Sequence, residues 1–316
     1  MAIAAIGDVS WDYQNLIPPL ASGCRGTPDA RLVRSERSSP VRYGRSASFS
    51  TSMGGSGTGP FLTLPSIVSY AGVKLTVRMA LSHQTGLPNW RDAKGLAFDH
   101  DPGTTTGYSG EGYQYAARYA ERRTGQSFET LAGRWLFAPA RMRASGYVSA
   151  QGATMPIAVP YDDVGKPLPV ARVTRYNAAD LAHATARDYA RFLVDARNDR
   201  GLISPVSAER SKSQADLTPE ICVGTKATTC PPWTGFGLGW QLLGFPDGKT
   251  MLHTGKDAGA FTFAAIDRVS GDGIVILTNS DNGWRIRSPT PASPGRCALS
   301  ERAICASRPA GEKAWV

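Results

Sequence analysis

No apolar run in the 316-residue chain approaches the roughly 18 residues that a membrane-crossing helix needs, so a helical span is excluded. Cysteine is scarce: five residues, at 24, 222, 230, 297 and 305, show no Cys-x-x-Cys spacing, which removes zinc ribbons and thioredoxin-like redox centres. The four histidines, at 83, 100, 183 and 253, form neither His-Glu-x-x-His nor a cluster, so no metal site and no cofactor are expected. Gly-x-Ser-x-Gly is missing, which excludes the nucleophile elbow of α/β-hydrolases. Neither Gly-x-x-x-x-Gly-Lys-Ser/Thr nor a strand-linked Gly-x-Gly-x-x-Gly is present to cradle phosphates. Met1–Asp8 lacks a basic stretch and has a short apolar run before Gly7, so no export address is expected and the compartment is left open.

What the chain does contain is enough apolar sequence for a large domain: 41% hydrophobic and 19% charged residues, the balance of an ordinary globular protein. Its formal charge of +9 invites a nucleic-acid reading, but the excess sits mainly at the ends. Residues 1–60 carry six Arg against four acids, and residues 284–316 carry six bases against two acids. Those ends have no interleaved aromatics and no recognition module, so they read as solvated tails, and nucleic acid is not expected as a partner. Arg31–Gly59 is rich in Ser, Arg and Gly, and Ser288–Arg296 is rich in Ser and Pro. Neither can bury enough apolar surface to offset its ordering entropy.

From about Phe61 the pattern becomes that of a folded domain. Thr76 is placed to cap a short helix through Val77, Met79 and Leu81, stopped at Gly86-Leu87-Pro88. A second helix is expected over Glu111–Arg123 with Gly125 as its stop, and a third from Ser127 through Phe128, Leu131 and Leu136. Thr185 with Asp188 reads as a capping box ahead of Tyr189, Phe192, Leu193 and Ala196. After Trp233 the period shortens: Phe236–Leu243, Thr250–Thr254, Ala260–Ile266 and Gly273–Thr278 read as strands, with Gly271-Asp272-Gly273 as a tight turn. Helices first and consecutive strands afterwards predict an α+β fold, an antiparallel sheet flanked by helices plus a helical region. Cys222 and Cys230 bracket a seven-residue loop and are open to two readings, a disulfide in an oxidising compartment or two free thiols.

Three segments occur in a telling order: Thr76-Val77-Arg78-Met79-Ala80-Leu81-Ser82-His83-Gln84-Thr85-Gly86-Leu87-Pro88, then Tyr108-Ser109-Gly110, then His253-Thr254-Gly255. Gly237-Leu238-Gly239-Trp240 and the strand from Ile274 to Gly283 follow the same order. The set resembles the serine β-lactamase and penicillin-binding superfamily, in its class C-like branch of β-lactamases, D-alanyl-D-alanine peptidases and related esterases. The resemblance implies a β-lactamase/transpeptidase-like fold and hydrolysis of a small ester, amide or β-lactam through an acyl-enzyme. Tyr108 matches the family's general base and acid, a role that needs nearby cations, because free tyrosine has a pKa of ~10. His253, Thr254 and Gly255 match the strand beside the substrate, and the backbone N–H of Lys256 matches an oxyanion donor. Gly110 stands where many members have Asn, which withdraws a contact from an amide substrate and tilts the reading from β-lactam towards ester or peptide. Ser82 and His83, being adjacent on a helix, are not expected to form a catalytic dyad.

The family's nucleophile is a Ser of Ser-x-x-Lys, and here no Lys has Ser three residues before it. Ser46, Ser48, Ser50 and Ser52 lie in the corresponding region but precede a Gly-rich run and Pro60, which cannot seat a helix. The nucleophile is thus left unassigned. The expected organisation is a tail over 1–60, disordered or read out of the ancestral frame, a serine-hydrolase-like domain over 61–283, and a Pro/Arg-rich tail over 284–316, so that the fold is incomplete at both ends. The function implied is an impaired member of this hydrolase family; the alternative is a silent homologue that at most binds a small ligand.

Overall fold

The computed structural model describes residues 4–6, 69–70, 73–93, 95–147, 157–170, 175–224, 230–246 and 248–285. In chain order the strands are β1 (Ala4–Ile6), β2 (Ser69–Tyr70), β3 (Val73–Lys74), β4 (Ala182–Ala184), β5 (Ala215–Asp216), β6 (Trp233–Phe236), β7 (Gln241–Phe245), β8 (Gly248–Asp257), β9 (Ala260–Asp267) and β10 (Gly273–Thr278). The helices are α1 (Val77–Leu81), α2 (Gly110–Thr124), α3 (Phe128–Ala132), α4 (Ala186–Arg197), α5 (Ser204–Arg210) and α6 (Thr218–Ile221). Six strands make one sheet in the order β10-β9-β8-β7-β6-β5, every neighbouring pair antiparallel. This is the α+β architecture that the order of helical and strand-like segments predicts.

The sheet is built by alternation. Leu242, Met251, Ala264 and Ile266 join Leu193 and Ala196 of α4 in one core cluster, while Leu243, Leu252, Phe263 and Ala265 make a second. Neighbours in sequence thus enter different clusters, as the two-residue period of a strand requires. On the first side α4 lays its apolar stripe against the sheet, with Phe192 stacked on Trp240 at 5.7 Å between centroids. A further cluster of Leu75, Leu87 and Tyr115, with Val77 and Met79 packed against it, binds α1 to α2.

The helix ends follow the caps read from the sequence. Thr76 Oγ1 accepts from the Met79 N–H at 3.1 Å, and Thr185 Oγ1 accepts from the Asp188 N–H at 3.1 Å. α2 stops at Gly125, whose φ of 68° is the left-handed conformation glycine tolerates. Three expectations need correction. Asp188 does not close the capping box: its carboxylate accepts instead from the Ala144 N–H at 2.7 Å and from Arg191 at 2.9 Å, so it ties α4 to another segment. The helix expected to run from Ser127 through Leu136 gives up its regular pitch after Ala132, and the Ala138 N–H reaches back five residues to Gly133 O.

The expected strand Phe236–Leu243 is two strands, β6 and β7, folded back on each other. Gly237 and Gly239 cause the break. A Cβ on Gly237 would lie 2.3 Å from the Arg210 carbonyl oxygen, and Gly239 sits at φ 78°. The turn they form docks onto the helical part: the Gly239 N–H donates to Leu81 O at 2.8 Å and the Leu238 N–H to Arg210 O at 3.0 Å.

Within the segment 1–60, expected to be disordered or out of frame, Ala4–Ile6 form β1, which pairs antiparallel with β4. An extended backbone stretch needs partners for its N–H and C=O groups, and β4 provides them. The rest of 1–60, and the tail from residue 286 onward, lie outside the described residues. No helix among the described residues is long and apolar enough to cross a membrane.

Candidate functional site

The sheet's own register creates the site. β7 ends at Gln241 opposite Leu252, whereas β9 stays paired with β8 as far as Asp257. The stretch His253-Thr254-Gly255-Lys256-Asp257 therefore runs past the end of β7, and on that side the helical part approaches it. Tyr108 comes nearest in the aromatic contacts, its ring centroid 6.5 Å from that of His253. Two residues 145 positions apart in sequence, singled out for one site by motif order alone, are thus brought together. Alternation along β8 places His253 and Gly255 on the Met251 side and Thr254 and Lys256 on the other.

Tyr108 lies in the loop that leads into α2. Ser109 caps that helix, accepting from the Gly112 N–H at 2.9 Å and donating to Pro88 O at 2.9 Å. Gly112 sits close beneath this cap: a Cβ there would lie 3.3 Å from both Ser109 Oγ and Thr85 Oγ1. Asn89 holds the helix start from the other side, its Oδ1 accepting from the Gly110 N–H at 2.9 Å and its carbonyl from the Glu111 N–H at 3.0 Å. Glu111 in turn pairs with Arg91 through two 2.8 Å bonds, and these hold its carboxyl below the usual carboxylate range. Below Tyr108 lie Phe236 of β6 and the Cys222 and Cys230 side chains, which pack on the same small cluster. Cys222 and Cys230 are joined as a disulfide with Cα atoms 5.7 Å apart.

Gly110, expected to withdraw a contact from an amide substrate, has a packing reason of its own. A Cβ at that position would lie 2.7 Å from the Trp90 ring and 3.0 Å from Asn89 O. The indole occupies the space that a side chain at 110 would need, a long-range fact that no local pattern carries.

His83, expected only to form no dyad with Ser82, has its ring packed among the aromatics around Tyr108. It stacks on Tyr108 at 4.1 Å, meets Phe236 edge-on at 4.6 Å and lies 5.2 Å from Tyr113. Ser82 beside it is wholly buried, its Oγ 2.8 Å from both Arg78 O and Gln84 Oε1, so its single proton goes to one of these oxygens.

The electrostatics decide what this arrangement can do. Burial, then the nearby His253, pushes the His83 imidazole down to about 3, and burial lowers His253 below its ordinary 6.5. Both rings are neutral at pH 7. They give no positive charge to the phenolate form that Tyr108 would need as a general base. In His253, Nδ1 lies 2.8 Å from the Thr254 carbonyl, which fixes the proton on Nδ1 and leaves Nε2 as the acceptor. A cleft lined by His253, Thr254, Tyr189, Thr262 and Leu277 opens beside the strand. Among the described residues, no three His, Cys, Asp or Glu gather where a metal ion would be held.

Comparison with known proteins fits this geometry. The Beta-lactamase family model matches residues 63–290. Penicillin-binding protein 4 of Amycolatopsis lactamdurans is 27% identical over 189 residues, 57% of this chain and 49% of its own length. The chain thus spans about half the length of that curated relative. Among solved structures, a D-stereospecific amidohydrolase from Streptomyces sp. aligns with a TM-score of 0.52 and 19% identity, over 69% of this chain and 71% of its own. The octameric penicillin-binding protein homologue from Pyrococcus abyssi aligns with a TM-score of 0.52 and 19% identity, over 66% and 53%. At these identities the likeness is one of fold.

Proposed function

Because the chain belongs to the Beta-lactamase family, we propose that residues 61–283 form the core of an acyl-enzyme hydrolase whose turnover is impaired in this sequence. The observation that carries the reading is the meeting of Tyr108 and His253 where β8 runs past β7, the two sides of a family site, in a chain without Ser-x-x-Lys. Acyl transfer by this route needs three things: a nucleophile, a base to activate it and donors for the oxyanion. Tyr108 stands as the base and leaving-group acid, and the Lys256 N–H at the end of His253-Thr254-Gly255 as an oxyanion donor. The nucleophile has no candidate of the family's kind, and the His83 and His253 imidazoles beside Tyr108 are both held neutral by burial.

The amidohydrolase and penicillin-binding relatives support a small amide or β-lactam as the ligand class. Gly110 beside Trp90 keeps esters and peptides in the same class of candidates. Purified protein incubated with a fluorescent penicillin and with a fluorophosphonate is expected to show no stable adduct by intact mass. Phenylalanine amide is expected to bind reversibly and to perturb Tyr108 and His253 resonances in NMR spectra. A stoichiometric covalent adduct on any serine would sink the impaired reading and restore full acyl-enzyme chemistry. Binding of the amide with no detectable hydrolysis would favour the silent homologue, and absence of binding would overturn the reading of Tyr108 and His253 as a ligand site.

A further inference from the structure

The geometry points to His83 as the positioning residue of Tyr108: its main chain and its ring together grip the residues on either side of Tyr108, and the imidazole forms the surface on which the phenol rests. The inference rests on the reading of Tyr108 as the site's acid–base group. How Tyr108 is held is independent of what Tyr108 does.

Three contacts converge. The His83 carbonyl accepts from the Gly107 N–H at 2.9 Å, and His83 Nδ1 accepts from the Ser109 N–H at 3.0 Å. These two bonds fall on the residues immediately before and after Tyr108, and the Tyr108 ring stacks on the imidazole between them at 4.1 Å with the planes 24° apart. A histidine that merely filled the core would have no reason to place both its backbone and its ring acceptor on one tripeptide.

The backbone explains how one residue does this. His83 follows the last turn of α1 with φ 57°, in the left-handed region that few residues other than glycine occupy. That conformation turns the chain sharply after Ser82 and directs carbonyl and side chain together at the 107–109 loop. The ring is 1% exposed and covered by Phe236 on its edge, so it has one orientation. The bond from Ser109 requires an unprotonated Nδ1, and the neutral state imposed by burial puts the proton on Nε2. A protonated ring would lose the Ser109 bond and set a cation against the His253 side.

Two substitutions separate the ring from the acceptor. His83→Asn keeps an acceptor oxygen close to where Nδ1 stood and suits the left-handed conformation, but removes the stacking surface. His83→Phe keeps an aromatic surface and removes the acceptor. With tyrosine ring labels assigned through Tyr108→Phe, the native Tyr108 ring protons are expected upfield, in the shielding cone of the imidazole. In His83→Asn they should return towards exposed-tyrosine values while the Ser109 amide stays protected from exchange. In His83→Phe they should stay shifted while the Ser109 amide exchanges about tenfold faster or more. Histidine ¹⁵N spectra of the unaltered protein should show Nδ1 as the unprotonated nitrogen, with nuclear Overhauser contacts between His83 and Tyr108.

Tyr108 shifts unchanged in His83→Asn, or a proton found on Nδ1, would overturn the proposal. If either variant fails to fold, the tautomer and the His83–Tyr108 contacts of the unaltered protein decide the matter. Should these hold while phenylalanine amide leaves Tyr108 untouched, the functional reading fails and the positioning role stands.

Discussion

His83 and His253 share a property with a direct consequence for stability. Each has a folded-state pKa below its unfolded value of 6.5, so the unfolded chain binds protons more readily than the folded one. Their contribution is fully present above pH 6.5 and declines as pH falls, for His83 down to about 3. One such group costs about 1.4 kcal/mol per pH unit across that window. The urea midpoint should therefore fall between pH 7 and pH 4.5, and fall less in His83→Asn, since the carboxylates common to both proteins cancel in the comparison. Equal declines in the two would show that His83 is not held neutral by its surroundings. At this scale the sequence was only partly readable. Tyr108 and His253 could be picked out because motif order links them. His83 could not, since its part depends on a left-handed turn that swings a helix-end residue onto a loop 26 positions away. Trp90 escaped for a related reason: its ring reaches Gly110 only through the fold, and tryptophan next to Asn89 carries no local signal.

Among the elements, the β6–β7 turn does two jobs, reversing the chain and fastening the sheet to α1. Gly239 is the residue to test. At φ 78° a Cβ is strained whatever the free space, and nothing lies within 4 Å of where it would project, so Gly239→Ala isolates the backbone cost. The expected loss is about 1–2 kcal/mol by chemical denaturation, with the sheet retained by far-ultraviolet circular dichroism. A neutral result would mean that the turn relaxes without the left-handed residue. The caps at Thr76, Ser127 and Thr185 were legible because they act within four residues of chain, whereas the cap at Ser109 went unread, its helix being expected to start at Glu111. The split of Phe236–Leu243 was not, because an apolar run interrupted by two glycines satisfies a strand pattern, and what forbids a side chain at 237 is a carbonyl from α5. The irregular turn after Ala132 left one trace in the sequence, the five-residue step from Leu131 to Leu136, wider than the three or four that a regular helix places on one face.

For the molecule as a whole, the family core and the ends tell different stories. The matched region, residues 63–290, holds the tyrosine and strand sides of the site, while Arg31–Gly59 precedes it and Ser288–Arg296 begins within its last residues. We propose that residues 1 to about 60 and from about 285 are read outside the ancestral frame or have been replaced. Translating the coding DNA upstream of codon 61 in its other two frames is then expected to yield Ser-x-x-Lys followed by a helical apolar pattern. Its absence from both frames would argue against a shift of frame. The sheet order was predictable in outline because four consecutive strand-like runs leave little choice but a meander. The pairing of β1 with β4 was not, since three extended residues give too short a pattern to register.

The hydrogen bond from the Gly239 amide to Leu81 gives the molecule a built-in clock. Most amides of β7 and β8 are protected by strands of their own sheet, so their deuterium uptake reports on the sheet's opening. The Gly239 amide is shielded across the boundary, by a carbonyl at the end of α1. It exchanges when helices and sheet part, even if each stays folded. The ratio of these uptake rates would measure how often the Tyr108 side separates from the strand that carries His253.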